Sequence, residues 1–354
     1  MKLLICTQKV DRDDPVLGFF VHWIEKLAER YELVTVICLE KGDYDLPNNV
    51  RVLSLGKETG RSLFKYIFRF FTYTFRYRHN YDVVFVHMNQ EYVLLGSVIW
   101  RLLGKKIMLW RNHAKGSLLT RIAVLFSHKV FCTSPQAFVA NYEKTSLMAV
   151  GIDTDLFKPD ASIEKSSGSI LFLGRISPVK NVDVFVESLT FLKREVEDFR
   201  VSVVGDVAPK DNGYYTTIKA RAADAGLGSI IHFKPGVPSH DTLPLYRSHE
   251  LYVNLTPPGS QDKTIFEAMA TECLVLFTSK TAHDVVPAAC IAPDEDPQHI
   301  AQQIQHLMKL PADERKNITQ ALRTYVVDFH SLEKLTDDIF SCSLPGSFFT
   351  TSIE

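Results

Sequence analysis

Short runs of Val, Ile and Leu alternate along the chain with longer segments in which apolar residues recur every three or four positions. The first pattern predicts strands buried on both faces, and the second predicts helices that cover them. In the first half, strands are expected at 2–6, 33–39, 50–53, 83–87, 106–110 and 129–133, with helices at 18–31, 63–77 and 90–103. A polar, Ser-containing stretch at 160–169 reads as a linker. The alternation then restarts, with strands near 170–173, 200–204, 230–233, 251–255, 274–278 and 290–292. Helices are expected at 182–195, 214–225, 242–248, 265–270, 297–308 and 312–327, and a last amphipathic segment covers 332–342. The pattern predicts an α/β protein of two Rossmann-like, doubly wound parallel-sheet domains facing a cleft, with ligands at the carboxyl ends of the strands.

A chain of 354 residues is long enough for two such domains. We expect them at 1–158 and 159–330, with 331–354 a helix and tail packing back toward the first. Hydrophobic residues at 46% and charged residues at 23% exclude a disordered chain. Lys and Arg total 40 against 41 Asp and Glu, so nothing in the overall charge calls for a nucleic-acid partner. Any electrostatic recognition must be local. The apolar stretch from Tyr92 to Leu103 is broken by Gly96 and Arg101, well short of the roughly 18–20 residues a membrane span needs. The opening apolar run meets Gln8, Lys9 and Asp11 too early for a signal peptide and reads as a buried strand. Six scattered cysteines without a CxxC pair, and histidines without an HxxxH pattern, predict reduced thiols, no metal and a cytoplasmic protein.

Two strand ends carry chemistry. Leu171-Phe-Leu-Gly-Arg-Ile-Ser-Pro-Val-Lys-Asn181 ends a strand at Gly174 and places Arg175 and Lys180 in a short loop before a helix. Two cations and a helix N-terminus suit a diphosphate, Arg as a planar fork and Lys as a point charge. A solvated basic loop reads equally well. In the second, Asn254-Leu-Thr-Pro-Pro-Gly-Ser-Gln-Asp-Lys-Thr-Ile-Phe-Glu-Ala-Met-Ala270, a Pro/Gly/Ser loop offers N–H groups to an anion, and Glu267 is expected in the first turn of the next helix. A carboxylate there can accept hydrogen bonds from ribose hydroxyls, or only complement the helix dipole.

Taken together, Gly-Arg-x-x-x-x-Lys, a later strand and Glu-Ala-Met-Ala resemble the donor domain of retaining glycosyltransferases of the GT-B fold, the family 4 or "group one" class. Gly151-Ile-Asp-Thr-Asp-Leu-Phe-Lys-Pro159 is similar to that family's joint between domains. The resemblance implies a retaining, metal-independent transferase that uses a nucleotide-diphosphate sugar as co-substrate and no other cofactor. It implies that Arg175 and Lys180 bind the diphosphate, that Glu267 holds the ribose, and that Gly18 lies close to the donor phosphate or sugar. Gly174, Gly236, Val237, Gly259, Ser260 and Thr264 complete the implied donor contacts, the base being met by backbone near Gly236 and Val237. His113, at the end of Met108-Leu-Trp-Arg-Asn-His-Ala114, matches a family histidine near the reacting sugar, so it joins Arg175 and Lys180 as a catalytic candidate. Arg111 and His87 are further acceptor-side candidates. Domain closure would expel water, the competing acceptor.

The departures are specific. Gly259 stands where the family usually carries its first glutamate, which leaves Asp262 and Lys263 as the nearest polar substitutes. Thr271-Glu272-Cys273-Leu274 replaces a usual Cys-Gly-x-Pro, and Asn181 replaces a usual glycine. A degenerate, non-catalytic sugar-nucleotide-binding protein is therefore a rival. A nicotinamide-dependent oxidoreductase is a second, disfavoured because no GxGxxG follows the first strand.

The stretch from Thr59 to Tyr81 has no Asp or Glu but contains Arg61, Lys65, Arg69, Arg76 and Arg78, with Phe64, Phe68, Phe71 and Phe75 at helical spacing. It reads either as a crossover helix packing its phenylalanines on the sheet or as a membrane-surface helix over 61–78 that presents a lipid-linked or other glycan acceptor at the inner membrane face. The functional expectation is sugar transfer in the synthesis of a cell-surface polysaccharide or glycoconjugate.

Overall fold

The computed structural model describes residues 1–257, 262–278, 286–344 and 346. It divides into two compact units, one of Met1–Gly151 with Pro238–His240 and the segment from Leu332 onward, the other of Ile152–Val237 and Asp241–Ser331.

The first unit is built on a seven-stranded parallel sheet: β1 (Lys2–Val10), β2 (Leu33–Lys41), β3 (Val50–Ser54), β4 (Val83–His87), β5 (Lys106–Trp110), β6 (Lys129–Cys132) and β7 (Thr145–Leu147), in the order β3-β2-β1-β4-β5-β6-β7. The helices are α1 (Phe19–Arg30), α2 (Leu63–Arg76), α3 (Glu91–Leu102) and α4 (Leu118–Phe126). The second unit has a five-stranded parallel sheet of β8 (Ser166–Leu173), β9 (Arg200–Val204), β10 (Ile231–Lys234), β11 (His249–Asn254) and β12 (Leu274–Phe277), ordered β10-β9-β8-β11-β12. Its helices are α5 (Val182–Glu195), α6 (Asn212–Asp224), α7 (Leu243–Ser248), α8 (Lys263–Ala270), α9 (Pro297–Met308) and α10 (Ala312–His330). The chain then re-enters the first unit as α11 (Leu332–Ser343).

Central strands such as β4 are buried at every position, which is why they read as unbroken apolar runs. On one face of the first sheet α1 and α11 close a core around Trp23, Leu27, Phe85, Leu335 and Ile339. On the other, Phe70 of α2, Val93 and Trp100 of α3, and Ala123 and Val124 of α4 pack on Leu4, Val84 and Leu109.

Four expectations need correction. Residues 152–158 belong to the second unit, where Ile152 bridges Ser331 and Phe157 packs its ring against Tyr246. Part of the polar linker, from Ser166, already runs as β8 because it pairs with β11. Residues 290–292 form only an isolated bridge, Phe277 to Ile291. Helix α4 and strand β7 had no clear signal: α4 is apolar on its outer side as well, at Leu118, Leu119 and Leu125, which blurs its period, and β7 is a three-residue edge strand.

The two family departures at glycine positions have a backbone consequence. Asn181 (φ +50°) and Glu272 (φ +53°) both lie in the left-handed region, where glycine is unstrained. Asn181 tolerates it and donates from its side-chain amide to the Leu255 carbonyl at 3.1 Å. Glu272 sits just past α8, where its N–H bonds the Met269 carbonyl and the Cys273 N–H bonds the Ala268 carbonyl, a C-terminal cap that favours glycine. Glu272→Gly is expected to stabilise the second unit by about 1 kcal/mol, read as a rise of roughly 2–4 °C in thermal midpoint. An unchanged or lowered midpoint would count against strain at this position.

Candidate active site

The carboxyl ends of β8, β9 and β11 gather most of the expected donor residues. β8 ends at Gly174, whose N–H bonds the Val204 carbonyl, while the Ile176 N–H bonds that of Asp206. The two strand ends approach so closely that a Cβ on Gly205 would run into the Gly174 carbonyl oxygen. The Arg175 side chain leaves this turn exposed and has no hydrogen-bond or ion-pair partner among the described residues. Lys180 ends a short 3₁₀ turn begun by Pro178. Its ammonium donates to Thr256 Oγ1 at 3.1 Å and pairs with the Asp262 carboxylate.

Asp262 is the centre of a polar network. Besides Lys180, it accepts from Asn254 Nδ2 at 3.1 Å and from Thr264 Oγ1 at 3.0 Å. Asn254 is oriented by the Thr256 N–H, which donates to its Oδ1 at 3.0 Å. The Tyr252 hydroxyl lies 2.9 Å from Asn254 Nδ2 and donates to Thr264 Oγ1 at 2.7 Å. Burial pushes the Asp262 carboxyl up, but the Lys180 charge and the hydrogen bonds outweigh it and hold the group below the usual carboxylate range. Asp262 therefore acts here as the anchor of Lys180, a role the sequence reading did not assign.

Glu267 corrects its expectation. α8 begins at Lys263, two residues earlier than predicted, so Glu267 falls in the second turn on the buried face and is 5% exposed. A dipole role at the first turn is excluded. Tyr246 donates its hydroxyl to Glu267 Oε2 at 3.0 Å. Burial raises Glu267 to about 7, opposed by the Lys263 charge and the Tyr246 hydrogen bond. Burial lowers Lys263, opposed by the charges of Glu267 and Asp153. Because the folded state holds the Glu267 proton above its ordinary value of 4.5, wild-type stability is expected to fall as pH rises from about 4.5 to about 7, where the unfolded chain has already ionised. Glu267→Gln should flatten that slope in pH-dependent denaturation, and an identical slope in both proteins would show that Glu267 ionises normally.

Gly236 meets a different partner: its N–H donates to Asp206 Oδ1 at 2.9 Å, and a Cβ there would come within 2.7 Å of Asp206 Oδ2. Val237 follows it, half-buried. Gly259 and Ser260 lie outside the described residues. Asn254, Thr256, Tyr252, Tyr246 and Asp206 were missed by sequence reasoning. Asn254, Thr256 and Asp206 stand at or just past strand ends, which was an available signal, whereas nothing in the sequence marked Tyr246.

In the first unit the candidates scatter. Gly18 is explained by its own loop, since a Cβ would sit 2.6 Å from the Arg12 carbonyl oxygen and 2.7 Å from that of Asp14. His87 ends β4 but is 1% exposed, stacked on Phe20 at 3.8 Å between ring centroids, with Nδ1 3.2 Å from Thr7 Oγ1. It cannot meet an acceptor directly. Arg111 follows β5 and reaches the Met88 carbonyl at 3.4 Å, while its buried Nε has no partner among the described residues. Burial lowers its pKa, opposed by Glu91. His113 is exposed, its Nδ1 tied to the backbone of Lys115 at 3.0–3.1 Å, which leaves Nε2 as the outward nitrogen. Among the described residues no group of three or more His, Cys, Asp or Glu is placed to hold a metal ion.

Comparison with known proteins gives this geometry its setting. The family model described as "Glycosyl transferases group 1" matches residues 167–310, and "Glycosyl transferase 4-like" matches 15–117. A D-inositol 3-phosphate glycosyltransferase of Frankia alni is 23% identical over 188 residues, 49% of this chain and 46% of that protein. A GDP-mannose-dependent alpha-(1-6)-phosphatidylinositol monomannoside mannosyltransferase of Mycolicibacterium smegmatis is 29% identical over 26% of this chain and 25% of its own length. The match thus spans less than half the length of either curated relative. Among solved structures, Anabaena HepE in complex with UDP superposes with a TM-score of 0.76 at 15% identity, covering 96% of this chain and 98% of that one. A glycosyltransferase from Rickettsia africae gives 0.76 at 17% identity, over 98% and 100%. Both sheets have the GT-B fold of these neighbours. With one family model on each unit and the strand-end cations in place, the chain belongs to the group 1 glycosyltransferases.

Proposed function

We propose that this glycosyltransferase moves a sugar from a nucleotide-diphosphate sugar to a hydroxyl acceptor with retention of anomeric configuration, and that it does so without a metal. The observation that carries the reading is the β8 turn, where exposed Arg175 and the anchored Lys180 flank one strand end. In glycosyl transfer the anomeric carbon becomes oxocarbenium-like as the diphosphate leaves. Fixed positive charge at the departing oxygens stabilises that state, the task a metal ion performs elsewhere. Glu267 would take the ribose hydroxyls, and the Gly236–Val237 backbone the base. The acceptor hydroxyl would attack on the face the diphosphate leaves and pass its proton to the leaving phosphate, with exposed His113 contacting the reacting sugar. UDP and UDP-glucose bound in the HepE complexes support a nucleotide-sugar donor, and the acceptor is read as a glycan or lipid-linked sugar of polysaccharide or glycoconjugate synthesis.

A thermal-shift panel of UDP, GDP and ADP sugars, followed by nucleotide-release assays with acceptor extracts in EDTA, tests this. A nucleotide that raises the midpoint and is released on turnover supports transfer. Binding with no release under any acceptor favours the non-catalytic rival, and no midpoint shift with any of the three removes the donor assignment.

A further inference from the structure

Helices α2, α3 and α4 cover one face of the first sheet, and each is apolar on its outer side as well as its inner one. On α2, only Phe70 and Thr74 are buried, while Leu63 (72%), Phe64 (82%), Phe68 (64%) and Phe75 (60%) point to solvent. The crossover-helix reading, with its phenylalanines packed on the sheet, therefore fails for most of them. The same holds for Val98 and Leu102 on α3 and for Leu118, Leu119 and Leu125 on α4. Positions 64, 68 and 75, then 98 and 102, then 118 and 125 are spaced by four, seven or eleven residues. Each set is one outward stripe of a helix. The three helices share one layer on the sheet face away from α1 and α11, and exposed apolar stripes gathered on one face mark interaction sites.

The charge along these segments is predominantly positive. Between residues 61 and 126 the only carboxylates are Asp82 and Glu91, against eleven Lys and Arg. Asp82 accepts the Lys2 backbone N–H, and Glu91 opens α3. Arg61, Arg76, Arg101 and Arg121 are exposed beside the stripes. Arg69, in contrast, is turned inward to the Leu55 carbonyl at 3.0 Å and is not part of the outer charge. No helix of the described residues is long and apolar enough to cross a membrane.

We propose that the α2–α3–α4 face is a membrane-docking surface, which lies flat on an anionic lipid bilayer with the phenylalanines and leucines in the headgroup–acyl boundary and the arginines on lipid phosphates. Aromatic and leucine side chains set among a large excess of cations match that interface, whereas a protein partner would be expected to find more acceptors for its own cations than the two carboxylates here. The inference concerns where the chain works and is independent of the sugar-transfer reading.

Co-sedimentation of the full chain with vesicles of 70% phosphatidylcholine and 30% phosphatidylglycerol tests it. Binding is expected to drop at least tenfold with phosphatidylcholine alone, at 0.5 M salt, in Phe64→Ser/Phe68→Ser/Leu102→Ser, and in Arg61→Gln/Arg76→Gln/Arg121→Gln. All of the substituted residues are exposed, so thermal midpoints should stay near wild type and serve as the folding control. Absence of vesicle binding, binding that survives both variants, or lipid-free self-association abolished by the apolar variant would overturn the proposal, the last in favour of a second copy as the occupant.

Discussion

Arg175→Ala is expected to cut sugar transfer by about 10²–10³-fold, the usual effect of removing one preorganised donor to a developing anion, while leaving the thermal midpoint unchanged. The two halves of this result come from one fact. The guanidinium is exposed and has no partner among the described residues, so its loss breaks nothing in the fold. Its value is confined to what it can meet from solution. Because the interaction strengthens as the diphosphate leaves, most of the loss should appear in kcat rather than in donor affinity. Steady-state kinetics alongside calorimetry measure both, and unchanged turnover would remove Arg175 from the site. Arg175→Lys should recover only part of the rate, since a point charge lacks the planar fork.

Lys180→Met should be at least as severe for transfer, but it should also destabilise the protein. Lys180 neutralises Asp262, whose side chain is only 18% exposed and also holds Asn254 and Thr264. Removing the cation leaves a largely buried carboxylate without its counter-charge, at a cost of about 1–3 kcal/mol. The depressed carboxyl has the matching pH signature. The pair's stabilisation is present above the ordinary carboxylate value of 3.8 and is lost as pH falls through the lower folded value. Lys180→Met/Asp262→Asn is expected to regain the stability without regaining transfer. Recovery of transfer in the double variant would show that the lysine serves only to hold Asp262, and equal stability of all three proteins would show that the ion pair contributes nothing.

These two cations show how legibility in the sequence varies. Both were readable from Gly-Arg-x-x-x-x-Lys at the end of an apolar run, because strand, turn and helix N-terminus are local and the parallel-sheet rule places ligands there. Their different environments were not. Whether a cation is solvated or paired depends on Asp262, 82 positions from Lys180, and on Thr256 and Asn254 brought alongside by β8–β11 pairing. Glu267 was singled out by motif, yet its helical turn was misjudged, since a helix that starts two residues earlier moves position 267 from the first turn into the second, away from the dipole end, and its burial depends on Tyr246, distant in sequence. His87 and His113 looked alike at neighbouring strand ends. Phe20 of α1 covers one, and the other is exposed.

By itself the sequence determined the class of fold and the positions of most strands and helices, because buried parallel strands and covering helices impose different apolar periods that need no knowledge of partners. It also determined which strand ends carry charge. The tertiary structure alone decided that residues 152–158 join the second unit, that Asp262 anchors Lys180, that Glu267 is held inside by Tyr246, and that three helices turn apolar stripes outward. Each of these is a contact, or a missing contact, between segments far apart in the chain, and a periodic pattern records only that a face is apolar, not what covers it.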